Sequence, residues 1–229
     1  MDREKIILAT LNVYNKFSIQ SFPIDCVAIL NAYGMKVESY ATQSPKKKKL
    51  CFYYSEEAYT LKRTVYYNDK KPLGRIRFSL AHEIGHIVLG HEEPRTEEQE
   101  KESDCFASYF LAPRMAIHYS GCKNHVRVAK FFNISIEAAQ YAFDDYRRWH
   151  RRAAYKMDKY DKAMYSHFYN DELKGFVYSI KTCKLCGKVL LNEKSDYCSE
   201  CFDKLSYIDY SQNDKYFHAA ESHWLYGGL

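Results

Sequence analysis

Residues 78–91, FSLAHEIGHIVLGH, place two histidines and a glutamate inside a run that is apolar on nearly every side. Phe78, Leu80, Ala81, Ile84, Ile87, Val88 and Leu89 leave no broad polar face. A helix over about 75–90 must therefore be central and covered all round. Gly90 and Pro94 end it. Gly85 in its interior costs about 1 kcal/mol relative to alanine, which points to close packing against a neighbouring element. Histidines at i and i+4 share one helix face, so His82 and His86 can reach one ion. Glu83 follows the first of them and can take the proton of a water whose pKa a bound zinc lowers toward ~7. The bland alternative is two satisfied core histidines and a surface glutamate. It has to find partners for polar groups on a buried helix, where unpaired ones are costly.

A hydrolytic zinc needs three protein ligands and an open position. His91 is one residue too near for the H-E-x-x-H-x-x-G-x-x-H spacing, and Gly90 stands immediately before it. His91 is expected instead at the helix C-terminus, where a positive imidazole suits the dipole. The next helix, TEEQEKESDCFASYFLAP, opens on a Thr96–Gln99 capping box and is bounded by Pro113. Phe106, Ala107, Phe110 and Leu111 form its apolar stripe. Glu100 and Asp104 sit at the edge of that stripe one turn apart, while Glu102 points to the opposite face. Packing the stripe on the core brings Glu100 to the metal. Asp104 can then hold a ligating histidine by its other ring nitrogen. Glu97 shares the face of Glu100 and competes with it, but has no aspartate one turn later.

Four cysteines form two CxxC pairs, Cys183/Cys186 and Cys198/Cys201, with Gly187 after the first. In a reducing compartment such pairs read as metal ligands rather than disulfides. Four thiolates close a tetrahedral structural zinc and leave no open position for chemistry. Folding energy for so small a module comes largely from the metal.

The 229 residues suit one ordinary domain plus a small module, and 46% apolar residues suffice for a real core. A net charge of +5 is too mild to argue for nucleic acid. The first twenty residues show no signal-peptide pattern, and no apolar run approaches the roughly 18 residues of a membrane span. The expectation is a soluble, cytoplasmic protein without membrane association. Helices are expected at 2–18 and from Pro23 to about Tyr33, stopped by Gly34. Strands are expected at KVESY (36–40), LCFYY (50–54) and TVYYN (64–68), with PKKKK (45–49) as a solvated loop. Residues 125–143 look like a helix-turn-helix, with a turn at Asn133 and Ser135 as N-cap. The start of its second helix is acidic and apolar (Glu137), with Asp144 and Asp145 further along, and RRWHRR (147–152) comes late. This disfavours direct DNA binding and favours a packing or substrate-docking role.

RFSLAHEIGH, a short linker and EKESDCFASYFLAP together resemble the ImmA/IrrE family of zinc-dependent proteases. The likeness covers about residues 5–145. Ser103 stands where the family usually has alanine, Leu111-Ala112-Pro113 where it has Leu-Met-Pro, and Arg75 lies one residue nearer Phe78 than is common. The resemblance implies His82, His86 and Glu100 as ligands of a catalytic zinc and Glu83 as general base. It further implies cleavage of a helix-turn-helix repressor, relieving repression of a mobile element or a stress response. The expected architecture is α+β. A zincin-like metallopeptidase core spans 1–122, a helix-turn-helix-like region 123–178, and a four-Cys zinc ribbon with a C-terminal tail 179–229. The rival is a DNA- or protein-binding regulator whose zinc site at His82 and His86 is structural or sensory.

Overall fold

A computed structural model describes residues 2–153 and 157–205. Asp2 opens helix α1 (Arg3–Lys16) by accepting from the amides of Glu4 and Lys5. Its buried face carries Ile6, Ile7, Leu11 and Tyr14. Helix α2 (Cys26–Ala32) starts later than Pro23 would suggest, because Asp25 supplies the cap to Val27 and Ala28. The chain then reverses at Gly34, whose φ is +76°.

Strand β1 (Lys36–Ser39) leads into α3 (Pro45–Tyr54), where a loop and a strand were expected. The helix-start signal was present: Ser44 accepts from the Lys47 amide, and Pro45 occupies the first turn, where its missing N–H costs nothing. Aromatic richness at 50–54 reflects one buried contact at Cys51 rather than a two-residue alternation, and Tyr53 and Tyr54 remain exposed. The second strand is instead β2 (Ala58–Leu61), turned through Lys62 and Arg63 into β3 (Thr64–Tyr67). The sheet order is β1-β3-β2. β1 runs parallel to β3 from Lys36↔Thr64, and β2 runs antiparallel to it from Ala58↔Tyr67. β2 is therefore an edge strand.

Helix α4 (Leu73–Leu89) crosses the core and ends at Gly90, with φ 71° in the left-handed region. Helix α5 (Glu97–Leu111) keeps both halves of the Thr96–Gln99 capping box. The two helices meet at Gly85, where an added Cβ would lie 3.1 Å from the Phe106 ring and 3.2 Å from Ser103 Cα. Ser103 is fully buried there, so only a small residue fits. Helices α6 (Arg114–Tyr119), α7 (His125–Phe132) and α8 (Ile136–Ala153) follow. Asn133 takes φ 54° in the turn, and Ser135 Oγ accepts from the Ala138 amide. Gly74 at the start of α4 packs on that turn: a Cβ there would lie 2.6 Å from Ile134 C and Ser135 N. Helix α9 (Lys159–His167) and the short antiparallel pair β4 (Tyr169–Asn170) and β5 (Gly175–Phe176) complete a compact unit that ends at Tyr178. Its main core joins Ile6 and Leu30 to Phe106, Phe132 and Trp149, and a smaller buried cluster gathers Tyr40, Cys51 and Tyr66.

A second compact unit begins at Ser179. In it β6 (Ile180–Thr182) pairs antiparallel with β7 (Val189–Leu191), and its buried centre is Cys183, Leu190, Cys198 and Cys201. The expected C-terminal tail, from residue 206, lies outside the described residues. The whole is an α+β protein with a four-Cys cluster near its C-terminal end. Among the described residues no helix is long and apolar enough to cross a membrane.

Candidate active site

Helix periodicity stacks His82 over His86 on one face of α4. Their Nε2 atoms lie 2.8 Å apart. From α5, Glu100 closes the group: Oε2 is 3.1 Å from His82 Nε2, and Oε1 is 3.6 Å from His86 Nε2. The three donor atoms lie within 4.8 Å of one another. Glu97 is not among them. It is exposed and pairs with Lys101 one turn on.

Both imidazoles are held from behind. Asp104 Oδ1 lies 2.8 Å from His82 Nδ1, and His91 Nδ1 lies 2.9 Å from His86 Nδ1. The sequence reading set His91 at the helix end and Glu102 on the far face. The structure revises both. The His91 amide does bond the His86 carbonyl at 3.0 Å, but the ring turns inward and meets Glu102 Oε2 at 3.2 Å. Ser103 shares the α4–α5 contact at Gly85 with Phe106 of the apolar stripe, so its neighbour Glu102 is carried to the edge of that interface.

Burial pushes the His86 imidazole down to about 2, with the charges of Arg95, His82 and His91 adding to it, so this ring is neutral. At His82 burial also works against the charged form, but the hydrogen bond and charge of Asp104 outweigh it and the net shift is upward. Two imidazole nitrogens and a carboxylate, converging with their other nitrogens already bonded, fit a metal ion. His86 is 2% exposed whereas the Glu100 side chain is 44% exposed, so the group is closed on one side and open on the other.

The open side faces a cleft of about 1220 Å³ lined by His82, Glu83, Glu100 and the whole of β2. Glu83 is 3% exposed. Its Oε2 accepts from Thr60 Oγ1 at 2.6 Å and from Arg95 Nη2 at 3.2 Å. Neither partner was foreseen. Thr60 was hidden because its strand was misplaced, although the run AYTL before Lys62-Arg63 and TVYY is a hairpin signal. No sequence signal marks Arg95.

Residues 31–144 match the family model described as the IrrE N-terminal-like domain, a peptidase family. Residues 31–144 form an IrrE N-terminal-like domain. The match runs from the end of α2 into α8 and holds the whole His82–His86–Glu100 group. No curated protein matches the chain.

A second cluster, of four residues, lies outside the IrrE N-terminal-like domain. Cys183, Cys186, Cys198 and Cys201 gather their sulfurs within 4.8 Å. Cys186 Sγ and Cys198 Sγ are 3.7 Å apart. Tetrahedral bonds of about 2.3 Å would set such an edge at about 3.8 Å, so the cage has the size of a metal–thiolate site. Backbone N–H groups of Cys186 and Cys198 draw the Cys183 thiol down to about 6, favouring the thiolate that a metal needs.

Proposed function

We propose that this chain is a cytoplasmic zinc endopeptidase that cuts a protein substrate, a helix-turn-helix transcriptional repressor. The observation that carries the peptidase reading is the placement of Glu83 beside the His82–His86–Glu100 group at the floor of an open cleft. His82, His86 and Glu100 would hold one zinc, and the four cysteines a second, structural one. Zinc at the first site supplies a Lewis acid that polarises the scissile carbonyl and acidifies water.

Glu83 then acts as general base. Thr60 and Arg95 both bond Oε2, which fixes the carboxylate plane and leaves Oε1 to accept the water's proton. The same carboxyl group returns that proton to the leaving amine. Asp104 holds the His82 ring at its place. An extended substrate segment adds to the edge of β2, whose other edge is paired with β3. Tyr59, stacked between Tyr54 and Tyr66 at ring distances of 5.1 and 5.3 Å, gives that wall a rigid apolar surface.

The packing weighs against a groove-reading role for the helix-turn-helix-like region. Its turn is covered by Gly74, and Glu137 at the start of α8 approaches Arg75 at 3.7 Å. The repressor as substrate rests on the family resemblance. Co-expression with candidate repressors, followed by cleavage assays with purified zinc-loaded protein, tests both points. Cleavage that vanishes in Glu83→Gln supports the proposal. Salt-sensitive duplex binding without proteolysis would support a regulator instead.

A further inference from the structure

We propose that His91 and Glu102 are positioning residues that hold His86 through a hydrogen-bond chain of fixed direction, and that this chain sets how tightly the site keeps its metal. The inference rests on the zinc-site reading above. His86 has two ring nitrogens in use: Nε2 faces His82 and Glu100, and Nδ1 faces His91 Nδ1 at 2.9 Å. A contact between two imidazole nitrogens needs one donor and one acceptor. With its Nε2 lone pair turned to a metal, His86 carries its hydrogen on Nδ1 and donates it. His91 Nδ1 must then accept, so His91 carries its own hydrogen on Nε2. That atom lies 3.2 Å from Glu102 Oε2, a carboxylate oxygen placed to accept its hydrogen.

Reversing the chain would set the lone pair of His91 Nε2 against the carboxylate oxygen. Glu102 therefore selects the tautomer of both rings. The backbone builds the geometry: the left-handed turn at Gly90 folds the chain back, and the His91 amide bonds the His86 carbonyl at 3.0 Å. Ser103 Oγ, 3.4 Å from His91 Nδ1, is the remaining neighbour of that nitrogen. The His91 and Glu102 side chains are 4% and 13% exposed, so water competes little for these bonds. One segment of α5 thus supplies Glu100 to the metal and a carboxylate behind each histidine, Asp104 for His82 and Glu102, through His91, for His86.

The test uses the full chain and zinc alone. Competition against a chromophoric chelator gives the affinity of the labile zinc in the unaltered protein and in His91→Phe, Glu102→Leu and Glu102→Gln. His91→Phe and Glu102→Leu are expected to weaken it about 10–100-fold. Glu102→Gln, whose amide oxygen still accepts from His91, is expected to hold it within about threefold of the unaltered protein, a rescue that a space-filling role would not give to glutamine alone. The ribbon zinc is retained throughout. Histidine-labelled ¹⁵N NMR of the unaltered zinc-loaded protein reads the direction without any variant: His91 is expected to carry its proton on Nε2. A proton on Nδ1, or unchanged zinc affinity in folded His91→Phe or Glu102→Leu, would overturn the proposal. A chain in which His82→Ala removes no zinc would overturn the zinc-site reading itself, and the proposal with it.

Discussion

Thr60 Oγ1 donates to Glu83 Oε2 at 2.6 Å, tying the middle of an edge strand to the carboxylate at the centre of the buried helix. The strand that would receive an extended peptide is therefore bonded directly to the group that would activate water. Thr60→Val keeps shape and removes the hydroxyl. Cleavage is expected to fall about tenfold, the scale of one hydrogen bond to a charged group, with zinc content unchanged. An unchanged rate would mean that Arg95 alone orients Glu83.

Glu83→Gln separates chemistry from metal binding. The amide is isosteric and can still accept from Thr60, so fold and zinc content are expected to persist. Cleavage is expected to fall by a factor of about 100 or more, because no base takes the proton. Metal analysis and a gel assay on the same preparation check both halves.

Glu100→Ala removes the carboxylate that α5 would supply to the metal. The labile zinc is expected to be lost on brief dialysis, whereas Glu97→Ala, at an exposed position paired with Lys101, leaves it in place. Loss of zinc in both variants, or in neither, would contradict the assignment.

Cys198→Ser opens the four-sulfur cage. Total zinc is expected to drop by one per chain, and protease sensitivity to rise from about residue 180 onward. The His82–His86–Glu100 site is expected to keep its metal.

Gly74→Ala forces a Cβ to within 2.6 Å of the Ile134 and Ser135 backbone, which cannot rotate away as a flexible side chain would. A loss of about 1–3 kcal/mol in urea unfolding is expected from this overpacking, despite alanine's better helix propensity. Stability equal to the parent would show that the turn between α7 and α8 yields freely.

Several of these features could be read from local pattern. The i, i+4 spacing stacks His82 and His86, the Thr96–Gln99 box starts α5, and the paired CxxC knuckles announce a four-sulfur cage. The turn at Asn133 and the cap at Ser135 were likewise written in neighbouring residues. Residues 45–54 form a helix rather than a loop and a strand because the Ser44-Pro45 start outweighs the aromatic content that follows it, and the strand β2 comes only at Ala58–Leu61.

By itself the sequence determined whatever depends on neighbours along the chain: periods, caps, turns and the thiol pairs. Only the tertiary structure decided which distant groups meet. Thr60 and Glu83 are joined by sheet register, Arg95 reaches Glu83 through a loop, and Glu102 reaches His86 through His91 because α4 and α5 touch at Gly85 and Ser103. Such contacts are set by how close two backbones can approach. That distance follows from side-chain volumes on both elements at once, and no stretch of one element encodes it alone.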